Sequence, residues 1–284
     1  MIEEKNKTMP RTLYLVATPI GNLADISERA LKVLSETDFV AAEDTRNTQK
    51  LLSYFGIKKP LISYHEHNKA ECGERICERL ISGESCALVT DAGTPAISDP
   101  GADLVKLCAE KNITVTSLPG ACASIVALTL SALPTERFCF EGFLPVQNKE
   151  RKKRLEALSA EYRTMLFHEA PHKLRTTLED LSVAFGGDRR ITLCRELTKL
   201  NEEVIRTTLA GAVEIYAERE PKGEYVLVIE GADEEKINKA PETDMTIEEQ
   251  VEYYITNGMS KMDAIKATAK SRGIPKNDVY KLMV

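Results

Sequence analysis

Short apolar runs separated by amphipathic segments fill the first 118 residues of this 284-residue chain. In two segments between these runs, Ile26–Leu34 and Ala102–Glu110, apolar residues recur at helical spacing. Alternation of strands and helices is typical of a parallel α/β sheet, so residues 11–118 are predicted to form an N-terminal α/β domain. The strand candidates are Leu13–Ala17, Phe39–Ala42, Leu61–Tyr64, Ala87–Thr90 and Ile113–Ser117.

Residues 119–232 show a similar pattern with fewer helices for each strand, which predicts a second α/β domain with a mixed sheet. A polar stretch with one proline, Gly231–Asp244, follows and is predicted to be a linker. The strand candidates are Phe138–Gly142, Thr164–His168, Ile191–Arg195, Val204–Thr208 and Tyr225–Ile229, and the helix candidates are Ala121–Leu133, Leu155–Ala160 and Lys173–Phe185.

The tail, residues 245–284, is predicted to be a separate helical unit. Thr246 and Glu249 have the spacing of a capping box, and the break at Gly273 separates two later helices. Three short helices with a glycine turn fit a helix-turn-helix. From Lys261 onward the tail carries six basic residues against two acidic ones, which favours nucleic-acid contact over a merely solvated helix pair.

Composition narrows the class of protein. A hydrophobic content of 43%, a charged content of 29% and a net charge of −6 are ordinary for a globular protein and do not themselves indicate a nucleic-acid binder. We expect a cytoplasmic protein, because no apolar stretch approaches a membrane span or a secretory signal. The seven cysteines form no C-x-x-C pair, and His65 and His67 point to opposite sides of an extended chain, so no metal site is predicted.

The stretch from Leu88 to Gly101 is the most informative one. It reads as a buried strand that ends in a rigid loop containing Gly93, Pro95 and Pro100. Ligands of open α/β sheets bind beyond the carboxyl ends of strands, and the alternative is a tight turn without a ligand. Because the first strand is followed by Gly21 alone, and no phosphate loop exists, a dinucleotide or triphosphate site is not indicated.

Charged residues also follow several other predicted strands. Glu43, Asp44 and Arg46 suit a general base, a ribose clamp or a phosphate contact; the alternative is an internal pair with a helix N-cap. His65 and Asn68 suit a grip on substrate.

Two further basic features are compatible either with substrate binding or with a purely structural role. Lys199, near Arg195 and Glu196, fits either an anionic substrate or a salt-bridged edge. The basic run Arg151, Lys152, Lys153 and Arg154 fits either phosphate contact or a solvated helix start.

Seven segments in this order resemble the ribosomal small-subunit RNA methyltransferase I group of the tetrapyrrole methylase superfamily. The resemblance covers about residues 11 to 232, and the tail is similar to the helix-turn-helix of that group. The segments are Thr18–Leu23 (TPIGNL), Ala42–Arg46 (AEDTR), Asp91–Gly101 (DAGTPAISDPG), Pro119–Ala121 (PGA), Glu141–Pro145 (EGFLP), His168–His172 (HEAPH) and Arg195–Lys199 (RELTK).

The resemblance implies S-adenosylmethionine as methyl donor, bound in a cleft between the two α/β domains of a homodimer. Where the wider superfamily has Gly-Asp-Pro, this chain has Gly93-Thr94-Pro95, which leaves Asp91 as the candidate to supply a carboxylate. The donor-binding residues carried over are Pro19, Asp91, Ala92, Gly93, Thr94, Pro95, Ile97, Cys122, Ala123, Glu169 and Leu197.

The resemblance also implies methylation of a cytidine 2′-hydroxyl in 16S rRNA, free or within the 30S subunit. Asp44 or Glu43 is then the expected base or orienting group, and Arg46 the holder of a phosphate or ribose. Arg151–Arg154, His65, Asn68, Lys199 and the tail are expected to contact substrate. Two alternative functions remain. A small-molecule or tetrapyrrole methyltransferase is disfavoured because it would not need the basic run and the basic tail. A non-catalytic nucleic-acid-binding regulator is disfavoured because it would not need so many loops at strand ends.

Overall fold

The computed structural model describes residues 7–233, 245–256 and 259–283. Most of the predicted linker, residues 234–244, lies outside the described residues. Its first three residues, 231–233, have no regular secondary structure.

The first sheet is parallel throughout, and its strands follow the order β3-β2-β4-β1-β5. The strands are β1 (Thr12–Val16), β2 (Phe39–Ala42), β3 (Leu61–Ser63), β4 (Cys86–Val89) and β5 (Thr114–Leu118). The predicted parallel α/β domain is therefore confirmed, with strand ends that differ by at most one residue.

Helices cover both faces of this sheet. The helices are α1 (Glu28–Glu36), α2 (Thr45–Tyr54), α3 (Lys69–Ile81) and α4 (Gly101–Glu110). Alternate strand residues face opposite sides: Leu13 packs with α3 and α4, whereas Tyr14 packs with α1 and α2. The inner strands β2 and β4 are buried on both sides, which is why their sequences, FVAA and CALV, are continuous hydrophobic runs.

The second sheet is mixed, as predicted, with the order β6-β7-β10-β8-β9. Only β6 and β7 pair in parallel; the other neighbours are antiparallel. Its strands are β6 (Phe138–Gly142), β7 (Thr164–Glu169), β8 (Arg190–Arg195), β9 (Glu203–Thr208) and β10 (Tyr225–Ile229), and its helices are α5 (Ala123–Leu130), α6 (Asn148–Leu158), α7 (Leu174–Phe185) and α8 (Leu209–Glu218).

Helix α5 is shorter than the predicted Ala121–Leu133, and two other helices differ more from the prediction. Helix α6 begins at Asn148 rather than Leu155, because lysine, arginine and glutamate are good helix formers even where no apolar periodicity marks the helix. Helix α8 was not predicted, although Leu209, Ala212 and Tyr216 bury one side of it.

The tail forms three helices, as predicted: α9 (Ile247–Thr256), α10 (Lys261–Arg272) and α11 (Lys276–Leu282). They enclose a small apolar core that includes Val251, Ile265 and Val279. The capping box is present, since the Thr246 and Glu249 side chains accept from each other's backbone N–H. Within the described ranges, no helix has both the length and the apolar character that a membrane crossing requires.

Candidate functional site

The loop that follows β4, residues 90–100, is fastened to the end of β1. Thr18 and Gly93 exchange two backbone hydrogen bonds, with N···O distances of 2.9 and 3.0 Å. Gly93 has a φ of +85°, a conformation that side chains with a Cβ disfavour. The Thr94 hydroxyl donates to the carbonyl of Ala121 at 2.9 Å, which also joins this β4 loop to the segment that leads into α5.

One carboxylate holds the rest of the β4 loop. Asp99 accepts hydrogen bonds from the backbone N–H groups of Ala96, Ile97 and Gly101, at 3.0, 3.2 and 2.7 Å. Ala96 and Ser98 both have left-handed φ values, +69° and +64°. Such strained residues persist only where surrounding contacts fix them, and they cluster at ligand sites.

The two sheets meet where the turn after β1 touches the loop after β8. A Cβ on Gly21 would lie 2.5 Å from Lys199 Cγ and 2.7 Å from the Leu197 carbonyl oxygen, so only glycine fits there. Ile20 and Leu197 share one apolar cluster with residues of α5 and the second sheet. Ile20 and Leu197 also line a cleft between the two sheets.

A cavity of about 490 Å³ occupies the cleft. It brings together four of the predicted donor-binding residues: Ala92, Ala123, Glu169 and Leu197. The remaining lining residues are Ile20, Phe143, His168, Ala170, Pro171, His172, Cys194, Glu224, Tyr225 and Val226.

The other predicted donor-binding residues lie around this cavity. Pro19 and Asp91 line a neighbouring groove, and Gly93 and Pro95 are buried within the β4 loop. Thr94 is held by Ala121, Ile97 is exposed at the loop's outer edge, and Cys122 is the N-cap residue of α5. Their assignment to the donor stays a prediction.

Glu169 is a nearly buried acid in the wall of the cavity. Its carboxylate accepts from its neighbour Ala170 N at 2.8 Å and from the Thr177 hydroxyl. The Thr177 hydroxyl in turn accepts from Arg151 Nη2 at 2.8 Å, and Arg151 Nε donates to Asp180 at 2.6 Å. Arg151, expected to contact RNA, therefore supports the cavity wall from behind.

Thr177→Val tests this network. Valine removes the hydroxyl but keeps the shape, so a buried carboxylate and a guanidinium each lose a partner. We expect the free energy of unfolding to fall by about 1–3 kcal/mol and the affinity for S-adenosylhomocysteine to fall several-fold.

Thr164→Val is the matched control, because Thr164 also has a buried hydroxyl, bonded to Pro134 O at the opposite end of β7. It should lose comparable stability with unchanged affinity in calorimetric titration. Equal affinity in both variants would show that the network does not shape the cavity.

His168 brings a buried polar atom to the cavity. Its Nε2 is buried and has no hydrogen-bond partner among the described residues. The rings of Phe140 and Phe143 lie against it edge-on, with centroid distances of 5.1 and 5.6 Å. Burial lowers the pKa of His168, so the ring is neutral at pH 7 and free to bond a polar ligand atom.

Three carboxylates gather at the adjacent ends of β2 and β4. Asp44 caps α2 by accepting from Arg46 N at 2.8 Å, and its carboxylate pairs with the Arg46 guanidinium at 2.7 Å. The hydrogen bonds from Arg46 hold the pKa of Asp44 well below its usual value. Asp91 accepts from Asp44 N at 3.2 Å, and Glu43 accepts from the Thr90 hydroxyl at 3.0 Å.

A groove of about 390 Å³ opens beside these acids, next to the cavity described above. Consecutive residues of the chain line the two spaces. Pro19 and Asp91 line the groove, whereas the residues that follow them, Ile20 and Ala92, line the cavity. The other groove residues are Thr18, Leu23, Asn47, Thr48, Lys50, Leu51, Tyr54 and Thr90.

Two of the other predicted substrate residues form close ion pairs, and two point outward. Lys199 is shared between Glu196 and Glu224, both at 2.9 Å, and Arg154 pairs with Glu141. Lys152 and Lys153 point outward from α6.

At the end of β3, Asn68 is occupied by backbone bonds to His65 N and Ser63 O. His65 Nδ1 is buried without a partner in the part of the chain that the structure describes. Within the same residues no group of three metal-ligating side chains occurs.

Sequence reasoning missed several residues that line the two spaces. Phe143, His168, Glu224 and Tyr225 face the cavity, whereas Tyr54 lines the groove. Phe143 belongs to the EGFLP segment and His168 to the HEAPH segment, but no local pattern in the sequence indicated that their side chains face a cavity.

Comparison with known proteins defines the class. The family model for Tetrapyrrole (Corrin/Porphyrin) Methylases matches residues 12–213. Ribosomal RNA small subunit methyltransferase I of Halalkalibacterium halodurans is 48% identical over 275 residues, 95% of this chain and 94% of that protein. The Bacillus subtilis protein of the same name is 46% identical over 270 residues, 94% and 92% of the two chains. The chain therefore belongs to the tetrapyrrole methylase family, within its ribosomal RNA small subunit methyltransferase I group.

Solved structures agree on the fold. Diphthine synthase superposes with a TM-score of 0.60 at 18% identity, covering 78% of this chain and 90% of that one. A uroporphyrin-III C-methyltransferase from Thermus thermophilus, solved with S-adenosylhomocysteine, gives a TM-score of 0.55 at 14% identity, covering 77% and 97%. The expected architecture of two α/β units with a cleft between them is confirmed.

Proposed function

We propose that this protein transfers a methyl group from S-adenosylmethionine to the 2′-hydroxyl of a cytidine in 16S rRNA, cytidine 1402 in the usual rRNA numbering. One structural observation carries the proposal: consecutive residues line the two spaces, with Pro19 and Asp91 in the groove and Ile20 and Ala92 in the cavity. A donor in the cavity and an acceptor in the groove would meet across these residues. Near-full-length relatives named as small-subunit rRNA methyltransferases support the choice of RNA as acceptor.

The cavity's residues suit an adenosine-containing donor. Its walls are mostly apolar, which favours a flat base, and the unpartnered Nε2 of His168 offers one polar contact. Ala92 and Ala123 leave room beside the turn after β1. When bound, S-adenosylmethionine supplies a methyl group already activated on sulfur, so the protein's task is alignment and exclusion of water.

The carboxylates divide the remaining work. A ribose hydroxyl is a poor nucleophile and gains from a base that takes its proton. Asp44 is tied to Arg46 and holds its charge strongly, which makes it a weak proton acceptor and a good orienting group. Among the described residues the Glu43 carboxylate has one side-chain partner, the Thr90 hydroxyl, and Thr90 lines the groove. We assign the base to Glu43 and the orienting role to Asp44 with Arg46.

Tritiated methyl transfer tests the proposed function. The purified protein and labelled S-adenosylmethionine are mixed with undermethylated 30S subunits, free 16S rRNA or a porphyrinoid. We expect counts in 30S subunits or rRNA, located by mapping at a cytidine 2′-oxygen. Counts only in the porphyrinoid would replace RNA with a small molecule, and counts in none would favour a binding protein without this activity.

RNA contact is assigned to the outward face of α6 and to the tail. Lys152→Gln and Lys153→Gln should each lower the slope of log affinity against log salt by about 1, because each removes one phosphate contact. Lys58→Gln is the control, since Lys58 is exposed in the loop before β3, at the other end of the first sheet. Equal slopes in all three variants would remove α6 from the RNA-binding surface.

The homodimer implied by the resemblance stays a prediction. Light scattering of the purified protein checks it, with a mass of about 63 kDa expected for two 31.6 kDa chains.

A further inference from the structure

The groove beside the acids has two different walls. One side of α2 forms the first wall through Asn47, Lys50, Leu51 and Tyr54, which recur at helical spacing. The turn after β1 forms the second with Pro19 and Leu23, and Thr90 and Asp91 lie at the base. The result is a narrow, mostly apolar space with polar groups at its floor.

Tyr54 stands at the rim of this groove with 67% of its surface accessible. Its ring contact with Phe55 is edge-on, at a centroid distance of 4.9 Å and an angle of 85°. An aromatic ring held at the end of a helix and left open to solvent is a suitable platform on which a nucleic-acid base can stack.

The polar groups of the groove match the edge of a base. The Asn47 amide donates to the Asp91 carboxylate at 3.4 Å, so a donor and an acceptor lie side by side. Cytosine presents an amino donor beside ring acceptors, which such a pair can satisfy. Lys50 is exposed and forms no ion pair among the described residues, so its charge is available to a phosphate.

We propose that this groove binds the base of the target nucleotide, turned out of its stack, with the base lying on Tyr54. Asn47 and Asp91 contact its edge, and Lys50 contacts a neighbouring phosphate. The proposal rests on the proposed function and adds the recognition site that this function needs. Turning the base out brings its ribose to Pro19 and Asp91, where the groove borders the donor cavity.

Steady-state kinetics with undermethylated 30S subunits provide the first test. Tyr54→Ala should lower kcat/KM for 30S subunits by roughly 5- to 150-fold, the range found when a stacking aromatic is removed. Tyr54→Phe should retain activity because the ring remains. Asn47→Ala should also lower kcat/KM, and all three should bind S-adenosylhomocysteine as the wild type does.

Tyr162→Ala is the matched control. Tyr162 is another partly exposed tyrosine, 39% accessible, just before β7 at the far end of the second sheet. It should leave kcat/KM unchanged. Equal losses for Tyr54→Ala and Tyr162→Ala would indicate a general effect of removing surface aromatics and would overturn the assignment.

Photocrosslinking tests direct contact between Tyr54 and the base, which a purely structural role of Tyr54 would not produce. 30S subunits carrying 5-iodocytidine at the target position are irradiated with the wild-type protein, and the crosslinked peptide is sequenced. A crosslink at Tyr54 is expected, and one at Phe143 or in the tail would overturn the proposal. So would a change of molar mass in Tyr54→Ala, which would make the groove an interface between copies of the chain.

The two proposals fail in different ways. If the wild-type protein methylates neither 30S subunits nor rRNA, the proposed function falls. If it methylates them while Tyr54→Ala and Asn47→Ala keep full kcat/KM, only the base-binding groove falls.

Discussion

Gly93→Val is expected to weaken the binding of S-adenosylhomocysteine by roughly 30- to 150-fold. Gly93 has a φ of +85°, and both of its backbone polar groups bond Thr18. A β-branched residue in this conformation costs about 2–3 kcal/mol. The added Cβ would also lie 3.3 Å from Ile20 Cγ2, which is tighter than an ordinary contact, so Ile20 or the β4 loop must move by a few tenths of an ångström.

The shift converts backbone strain into lost affinity. When the cavity is empty, the loop of the variant adopts a relaxed conformation. A bound ligand requires the original, strained conformation, so the strain energy is subtracted from the free energy of binding. Calorimetric titration measures the change directly. Because Ile20 and Ala92 both line the cavity, movement at Gly93 displaces two of its walls together.

Gly83→Val is the control that distinguishes strain in the β4 loop from backbone strain elsewhere in the protein. Gly83 also has a positive φ, +113°, but a Cβ there would meet nothing within 4 Å, and it precedes β4 at the other end of the sheet. Gly83→Val should lose thermal stability with unchanged ligand affinity, whereas Gly93→Val should lose ligand affinity. Unchanged affinity in Gly93→Val would remove the β4 loop from the donor site.

The first sheet was predictable because burial on both faces leaves little freedom in its sequence. Phe39–Ala42 was predicted and observed with the same bounds, since four consecutive apolar residues between polar ones allow few other readings. Helix α6 was harder to delimit. Its first two turns carry mainly charged residues, so no apolar stripe marks them, and only Leu155 and Leu158 are buried.

The site was predictable only where one segment supplies it. Glycine and two prolines indicated the β4 loop in the sequence. The position of Glu43 and Asp44 after β2 indicated the acids. The cavity's second wall depends instead on strand order. Because β10 inserts between β7 and β8, Tyr225 lies opposite both Glu169 and Arg195. No local pattern indicates that a strand more than 50 residues after β7 becomes its neighbour.

The basic residues illustrate a different limit. Charge alone does not tell whether a side chain faces solvent or a buried partner. Arg151 is largely enclosed by Thr177 and Asp180, whereas its neighbours Lys152 and Lys153 point outward. The 3.6-residue period of the helix turns Arg151 inward and leaves the other three residues of the run exposed, so the four do not form one surface.

Glu43→Gln is expected to lower the single-turnover rate of methyl transfer by about 100-fold or more. Removing a general base typically costs a factor of 10² to 10⁴, and glutamine keeps the shape and the bond from Thr90. Binding of S-adenosylhomocysteine and of 30S subunits should change little. Rapid-quench measurement with saturating enzyme isolates the transfer step from product release.

Asp44→Asn supplies the comparison that identifies the role of each acid. Its carboxylate caps α2 and orients Arg46, and that pairing keeps the pKa of Asp44 low. Asparagine can still cap the helix but loses the ion pair, so we expect a smaller loss of rate and weaker binding of RNA. A larger rate loss in Asp44→Asn than in Glu43→Gln would exchange the two roles. Wild-type rates in both variants would mean that neither carboxylate accepts the proton, leaving alignment of the ribose against the donor as the main source of catalysis.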